Sequence, residues 1–184
     1  MACGIVYFFL SIPQGLEEAR YFYQWKDRGL STEAIGYLKS ASGCGAALAC
    51  VLYGYVCRFV RLRGLLAVGI LSTALGTAIY VFYTSYDAMI VIEALNGFLA
   101  TLGVLALMEL AVWATPREAA AAGFSLLMGV WNLGDGAGNI LSARLIEDFQ
   151  FAFFDVINFY AAATVVSLAA LLLLPNDLFN HPDG

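Results

Sequence analysis

The chain has 184 residues, of which 61% are hydrophobic and 12% are charged, with a net charge of −5 and a mean hydropathy of +0.79. A soluble domain of this length could not keep so much apolar surface out of water, so the composition indicates an all-α integral membrane protein. It excludes a basic surface for nucleic acid, and the net negative charge identifies no partner, because most acids fall in short connecting segments.

Six apolar segments are long enough to cross a bilayer, which takes about 20 residues of helix. The sequence therefore predicts one six-span membrane bundle over residues 1–184, with a polar C-terminal tail at 175–184. Six spans place both termini on the same side of the membrane. The predicted spans cover residues 4–25, 34–56, 64–83, 88–113, 117–143 and 152–174.

The first predicted span is the least regular of the six. Pro13 should kink it, and Glu17 and Arg20 lie in its second half. At positions i and i+3, these two side chains share one helical face. They can line a cavity, with the Arg20 guanidinium holding a substrate carboxylate. Alternatively, they mark the outer end of a short span.

The connectors carry recognisable start and stop signals for helices. Gly29 can end the first helix, and Ser31 or Thr32 can cap the second. A T-x-x-E capping box begins at Thr115, with Pro116 suited to the first helical position. We therefore expect the fourth and fifth helices to meet in a short turn at this point.

Glu109 lies near the end of the fourth predicted span. An ionisable group at membrane depth costs about 3 kcal/mol or more unless it faces protein, water or a partner. Glu109 is therefore a candidate to carry a proton or to accept hydrogen bonds from a substrate ring. The alternative interpretation is a helix-end acid near the interface, or a packing hydrogen bond to a neighbouring helix.

The fifth predicted span carries a polar stripe beside two small residues. Asp135 and Asn139 lie one turn apart and face the same way, with Asn132 nearby. We expect this stripe to face a cavity or another helix, because an aspartate exposed to lipid is too costly. Gly134 and Gly138, at four-residue spacing, would let a second helix backbone approach closely.

Nothing in the sequence indicates a metal site, a cofactor or catalytic residues. The four cysteines contain no C-x-x-C pair, and the only histidine, His181, lies in the polar tail. An intramembrane aspartyl protease would need two acids deep in spans, but Asp87, the partner that Asp135 would require, sits at a loop. We therefore predict that the protein is not an enzyme.

Four segments in order carry a family resemblance: PQGLEEARYFYQWKDRGLSTEAIGYL, LYGYVCRFVRLRGLL, LALMELAVWATP and FSLLMGVWNLG. Together they resemble the C-terminal half of the folate–biopterin transporters, a branch of the major facilitator superfamily, over about residues 4–175. The matching positions are Gly29-Leu-Ser31-Thr-Glu33-Ala-Ile-Gly36, the turn after Tyr53-Gly54-Tyr-Val-Cys57-Arg58, the acid Glu109, and Asn132-Leu133-Gly134.

The resemblance implies a six-helix half built as a 3+3 inverted repeat. It also implies proton-coupled transport of a small polar aromatic anion such as a folate or a pterin, across a plasma or organellar membrane. The basic turn at residues 58–63 and both termini would be cytoplasmic, and the weak Lys/Arg bias of the loops points the same way.

The implied partners are the lipid bilayer, a folate-like or pterin-like substrate, and a second six-helix bundle. The family's first six helices have no counterpart in this sequence, so we expect a separate half or a second copy of the chain to complete the pathway. The alternative is a truncated, non-transporting six-helix membrane protein with a structural or regulatory role.

Overall fold

A computed structural model describes residues 4, 7–8, 11–12, 15–60, 62–115 and 117–167. The α-helices in this part of the chain are α1 (Glu17–Phe22), α2 (Thr32–Val56), α3 (Leu62–Ala78), α4 (Tyr86–Ala114), α5 (Ala120–Glu147) and α6 (Phe153–Ser167). A π-helical segment, Tyr23–Asp27, continues α1; a 3₁₀ segment, Ile79–Phe82, continues α3; and a 3₁₀ turn, Arg117–Ala119, precedes α5.

Three helices of the described residues are long and apolar enough to cross a membrane: Thr32–Val56, Arg63–Phe82 and Tyr86–Trp113. A fourth, Phe153–Val166, is apolar but shorter. These helices agree with an all-α integral membrane protein, whereas the six-span count and the inverted repeat stay predictions. Helix α5 has the length, at 28 residues, but its polar stripe around Asp135 lowers its apolar character.

The region of the first predicted span, residues 4–25, does not form one continuous helix. Residues 11 and 12 are helical, but Gly15 and Leu16 are not, and α1 begins only at Glu17. The helical path then runs to Asp27 through the π-helical segment. Pro13, the predicted cause of a kink, lies outside the described residues, as do residues 168–174 of the sixth predicted span and the tail.

The predicted signals between the first two helices are confirmed. Gly29 has a φ of +63°, a left-handed conformation that glycine adopts without strain. The Ser31 hydroxyl oxygen accepts a hydrogen bond from the Ala34 amide at 3.2 Å and caps α2.

The predicted capping box at Thr115 is wrong. The Thr115 hydroxyl donates to the Ala111 carbonyl of α4 at 2.7 Å, and the N-cap of α5 is Ala119, which has no side-chain cap. The intervening 3₁₀ turn moves the start of α5 beyond the reach of the Thr115 hydroxyl. Thr115 therefore ends one helix rather than beginning the next.

Helix α4 lies at the centre of the bundle and packs along both α2 and α3. At its crossing with α2, a Cβ added to Gly45 would lie 1.9 Å from the Ala94 carbonyl oxygen, and one added to Gly97 would lie 2.0 Å from the Ser42 carbonyl oxygen. Only glycine fits at either position. The two backbones are thus in direct contact, as small residues permit in membrane helices.

The predicted close approach at Gly134 and Gly138 is confirmed. A Cβ at Gly134 would meet the Ser11 hydroxyl and the Phe8 carbonyl oxygen, and one at Gly138 would lie 2.1 Å from the Ile12 carbonyl oxygen. The segment that precedes α1 therefore packs directly on α5, which positions the polar stripe of α5 beside α1.

Two apolar cores occupy opposite ends of the bundle. The Leu66 core consists of Tyr7, Leu65, Leu66, Ile70, Ala106, Leu107, Leu110, Ala111 and Leu127. The Tyr83 core consists of Leu16, Ala19, Tyr23, Leu38, Tyr80, Tyr83, Met89, Ile92, Leu145, Phe153, Val156, Ile157 and Tyr160. On α3, α4 and α5 alike, the stretch between the two cores carries polar side chains.

Candidate functional site

A cavity of about 270 Å³ lies between the two cores, and every one of the helices α1 to α6 contributes to its wall. Polar side chains dominate the lining although the surrounding bundle is apolar. Because such side chains are costly at membrane depth, their convergence marks this cavity as the candidate functional site. The polar side chains that line the cavity are those of Glu17, Arg20, Ser42, Thr73, Thr77, Tyr80, Asn96, Thr101 and Asp135.

A buried carboxylate, Glu93, binds two of the side chains that line the cavity, Arg20 and Tyr80. It is only 2% exposed, and both of its oxygens accept hydrogen bonds. The Arg20 guanidinium forms an ion pair with Oε2 at 3.1 Å. The remaining donors are the Tyr80 hydroxyl to Oε2 at 3.2 Å, the Tyr83 hydroxyl to Oε1 at 2.7 Å, and the Gln24 amide to Oε1 at 3.1 Å.

The Tyr80 hydroxyl connects this network to the cavity. It accepts hydrogen bonds from Arg20 Nη1 at 2.8 Å and from Asn96 Nδ2 at 2.9 Å while donating to Glu93. The Tyr83 hydroxyl donates to the other carboxylate oxygen of Glu93 and accepts from the Gln24 amide nitrogen, so these side chains form one connected network.

Glu93 and its partners were not among the predicted site residues; the partners are Gln24, Tyr80, Tyr83 and Asn96. Glu93 could have been predicted from the sequence, because it is an acid inside a long apolar run. At membrane depth it is as costly as Glu109, which was predicted for that reason. For the partners no local signal exists. They become recognisable only when α1, α3 and α4 are packed together.

Glu17 and Arg20 both line the cavity, as one of the two predictions for them required, but they bind different partners. Arg20 pairs with Glu93, whereas Glu17 Oε1 pairs with Lys39 Nζ at 2.8 Å. The side chains of Glu17 and Lys39 are 57% and 58% exposed. Arg20 is thus part of the interior network, and Glu17 lies at the rim.

Glu109 is half-buried and accepts a hydrogen bond from the Tyr53 hydroxyl at 2.5 Å, which joins α4 to α2. At 1.5 Å per residue it lies about 24 Å along α4 from Glu93. Glu109 is not among the residues that line the cavity. The two glutamates of α4 therefore occupy opposite ends of the bundle, with the cavity between them.

Only part of the polar stripe of α5 faces the cavity. Asp135 is half-buried and lines the cavity, and Asn139 Nδ2 donates to its Oδ2 at 3.4 Å and to its carbonyl oxygen at 3.2 Å. Asn132 is exposed and does not line the cavity. Successive helical residues are rotated by about 100°, so Asn132 lies to one side of the face that Asp135 presents.

A larger recess of about 430 Å³ lies between the π-helical segment of α1 and the connector from α5 to α6. It is lined by Phe22, Lys26, Glu147 and Phe153, among others. The smaller cavity is the better candidate, because it gathers side chains from all of the described helices and adjoins a buried ion pair.

The family model of the Major Facilitator Superfamily matches residues 2–183, almost the whole chain. No curated protein is similar enough to be matched with it. Members of this superfamily are membrane transporters, in agreement with the apolar helices and the polar cavity between them. The chain belongs to the Major Facilitator Superfamily.

Proposed function

We propose that the chain is one six-helix half of a transporter for a small polar aromatic anion, such as a folate or a pterin, with proton coupling. The observation that carries this proposal is the polar cavity to which helices α1 to α6 all contribute inside an apolar bundle. Membership of the superfamily supports transport of some substrate. The choice of folates and pterins is supported by the sequence motifs alone.

In this proposal, Arg20 holds an oxygen of the substrate, either the carboxylate of a small anion or the ring carbonyl oxygen of a pterin. It can do so only when Glu93 releases it, because the two side chains form an ion pair in this structure. Protonation of Glu93 removes the negative charge that holds the guanidinium. The substrate anion would then replace Glu93 as the partner of Arg20, and the proton would neutralise Glu93. Glu17, Asp135 and Asn139 would contribute further polar contacts.

The proposal assigns Glu109 to proton transfer at the other end of α4. Both termini and the connector at residues 58–63 would face the cytoplasm, which puts Glu109 near the cytoplasmic side and Glu93 nearer the opposite side. A proton crossing the bundle would pass one acid, then the cavity, then the other acid. The alternative role for Glu109 is a packing hydrogen bond to Tyr53.

The substitution Glu109→Gln is expected to abolish proton-driven folate uptake while the protein still folds. Glutamine keeps the size of the side chain and an oxygen that can accept from Tyr53, but it cannot carry a proton. Uptake of radiolabelled folic acid, driven by an imposed pH gradient in cells without folate uptake of their own, measures the effect.

Glu33→Gln is the matched control, because Glu33 also accepts from a tyrosine, Tyr37, at 3.2 Å, but on an exposed face. It should leave uptake unchanged. Unchanged uptake in Glu109→Gln would eliminate Glu109 as a proton carrier and favour the packing role.

The proposal also requires a second six-helix bundle, either a separate half or another copy of this chain. A polar cavity on one bundle is costly where it meets lipid and needs a protein or water-filled surface opposite it. Asn132, exposed on α5, would then face the partner bundle rather than lipid.

We expect the chain, extracted with its lipids from cells that also express its neighbouring genes, to have a native mass corresponding to two bundles. One chain accounts for 19.8 kDa. Native mass spectrometry distinguishes a homodimer from a pair of different halves. A clean monomer would contradict the proposal and support the truncated, non-transporting protein with a structural or regulatory role.

A further inference from the structure

The polar cavity offers mainly hydrogen-bond acceptors, and we infer from this that it binds the donor edge of its ligand. The ligand group would be an amidine-like edge, in which a ring N–H and an exocyclic NH₂ lie side by side, held by the Asp135 carboxylate. In a pterin this edge is N3–H with the 2-amino group. The inference rests on the proposed function and specifies how its substrate is oriented.

The first support is the charge of the lining residues. The charge of Arg20 is balanced by Glu93, and that of Glu17 is balanced by Lys39. In the part of the chain that the structure describes, no ion pair involves Asp135. The cavity therefore carries one uncompensated negative charge, which attracts N–H donors.

The second support is the direction of the hydroxyl groups. The Thr73 hydroxyl donates to the Gly69 carbonyl at 3.0 Å, and the Thr77 hydroxyl donates to the Thr73 carbonyl at 3.1 Å. The protons of these two hydroxyls are already used, so they present lone pairs to the cavity. The Tyr80 hydroxyl donates to Glu93 at 3.2 Å and accepts from Arg20 and Asn96, so it has no free proton to donate to a ligand.

The third support is the capacity of Asp135 itself. Asn139 donates to Oδ2 at 3.4 Å, a long hydrogen bond, which leaves Oδ1 and further lone pairs free to accept. A carboxylate accepts two parallel N–H bonds from a planar donor with good geometry. An amidine-like edge provides those two donors.

The size of the cavity is consistent with a single head group. Sites for drug-sized ligands span about 300–1,000 Å³, and this cavity has about 270 Å³. It would hold a bicyclic ring but not the whole of a folate. The remainder of a larger substrate would extend out of this bundle.

The test compares two ligands of the same size and ring system that differ in the group at the 2-position and in the proton that this group places on N1. Lumazine is the pterin ring with the 2-amino group replaced by oxygen, so it presents an acceptor where pterin presents a donor. We expect the wild-type chain in lipid nanodiscs to bind pterin about 10- to 100-fold more tightly than lumazine, measured by ligand fluorescence.

Asp135→Asn should weaken pterin binding by a similar factor and remove the preference over lumazine, whereas Asp135→Glu should retain it. Glu147→Gln, on the same helix but exposed, is the matched control and should bind as the wild type does. Circular dichroism of each variant confirms that the fold is intact before affinities are compared.

The possible failures are distinguishable. Equal affinities for pterin and lumazine, or an unchanged preference in Asp135→Asn, would overturn the inference and leave the proposed function standing. If the chain binds neither pteridine nor folic acid, the proposed function fails and the inference fails with it.

Discussion

Adding one methyl group at Gly45 is expected to prevent α2 and α4 from docking, so that Gly45→Ala elutes as aggregate rather than as a monodisperse species in mild detergent. The new Cβ would lie 1.9 Å from the Ala94 carbonyl oxygen, and neither atom belongs to a flexible side chain. Overpacking a core costs about 1–3 kcal/mol, and contact between backbones puts this case at the upper end. Size-exclusion chromatography measures the loss of the monodisperse species, and thermal denaturation measures the loss of stability.

The matched control is Gly36→Ala on the same helix, where an added Cβ meets nothing within 4 Å. Alanine favours the helix over glycine by about 1 kcal/mol, so this variant should be as stable as the wild type or more so. Gly97→Ala, whose Cβ would lie 2.0 Å from the Ser42 carbonyl oxygen, should reproduce the defect. Equal stability of Gly45→Ala and Gly36→Ala would show that α2 and α4 cross at a greater distance than the structure gives.

Removing the cation of the buried ion pair is expected to destabilise the bundle by about 3–5 kcal/mol. Arg20→Met leaves the Glu93 carboxylate, which is only 2% exposed, without a balancing charge. The double variant Arg20→Met/Glu93→Met removes both charges, so it should be more stable than Arg20→Met alone. Unfolding midpoints of the two single variants and the double variant, combined in a double-mutant cycle, give the coupling.

Lys39→Met serves as the control for the loss of an ion pair as such. The pair of Lys39 with Glu17 is short, at 2.8 Å, but both side chains are more than half exposed. Exposed pairs contribute at most about 1 kcal/mol, so the midpoint should change little. If the costs of Arg20→Met and Glu93→Met simply add in the double variant, the two residues do not interact. That result would contradict the ion pair between Arg20 and Glu93.

The sequence by itself determined the features that depend on residues close to one another in the chain. The apolar runs identified a helical membrane protein, and the local signals at Gly29 and Ser31 predicted where one helix ends and the next begins. The spacing of Gly134 and Gly138 predicted a tight helix contact, because residues four apart share a helical face. The same kind of reasoning was wrong at Thr115, where a 3₁₀ turn separates the predicted cap from α5.

Only the tertiary structure decided which polar groups meet. Arg20 and Glu93 lie 73 positions apart in the chain, and Gln24 and Glu93 lie 69 apart. Their contact depends on how far α1 and α4 are rotated about their own axes and where they cross. The hydropathy of a segment contains no information about that rotation, so the sequence shows that Arg20 is costly in a membrane, and the packing of the helices shows that Glu93 is the charge that compensates it.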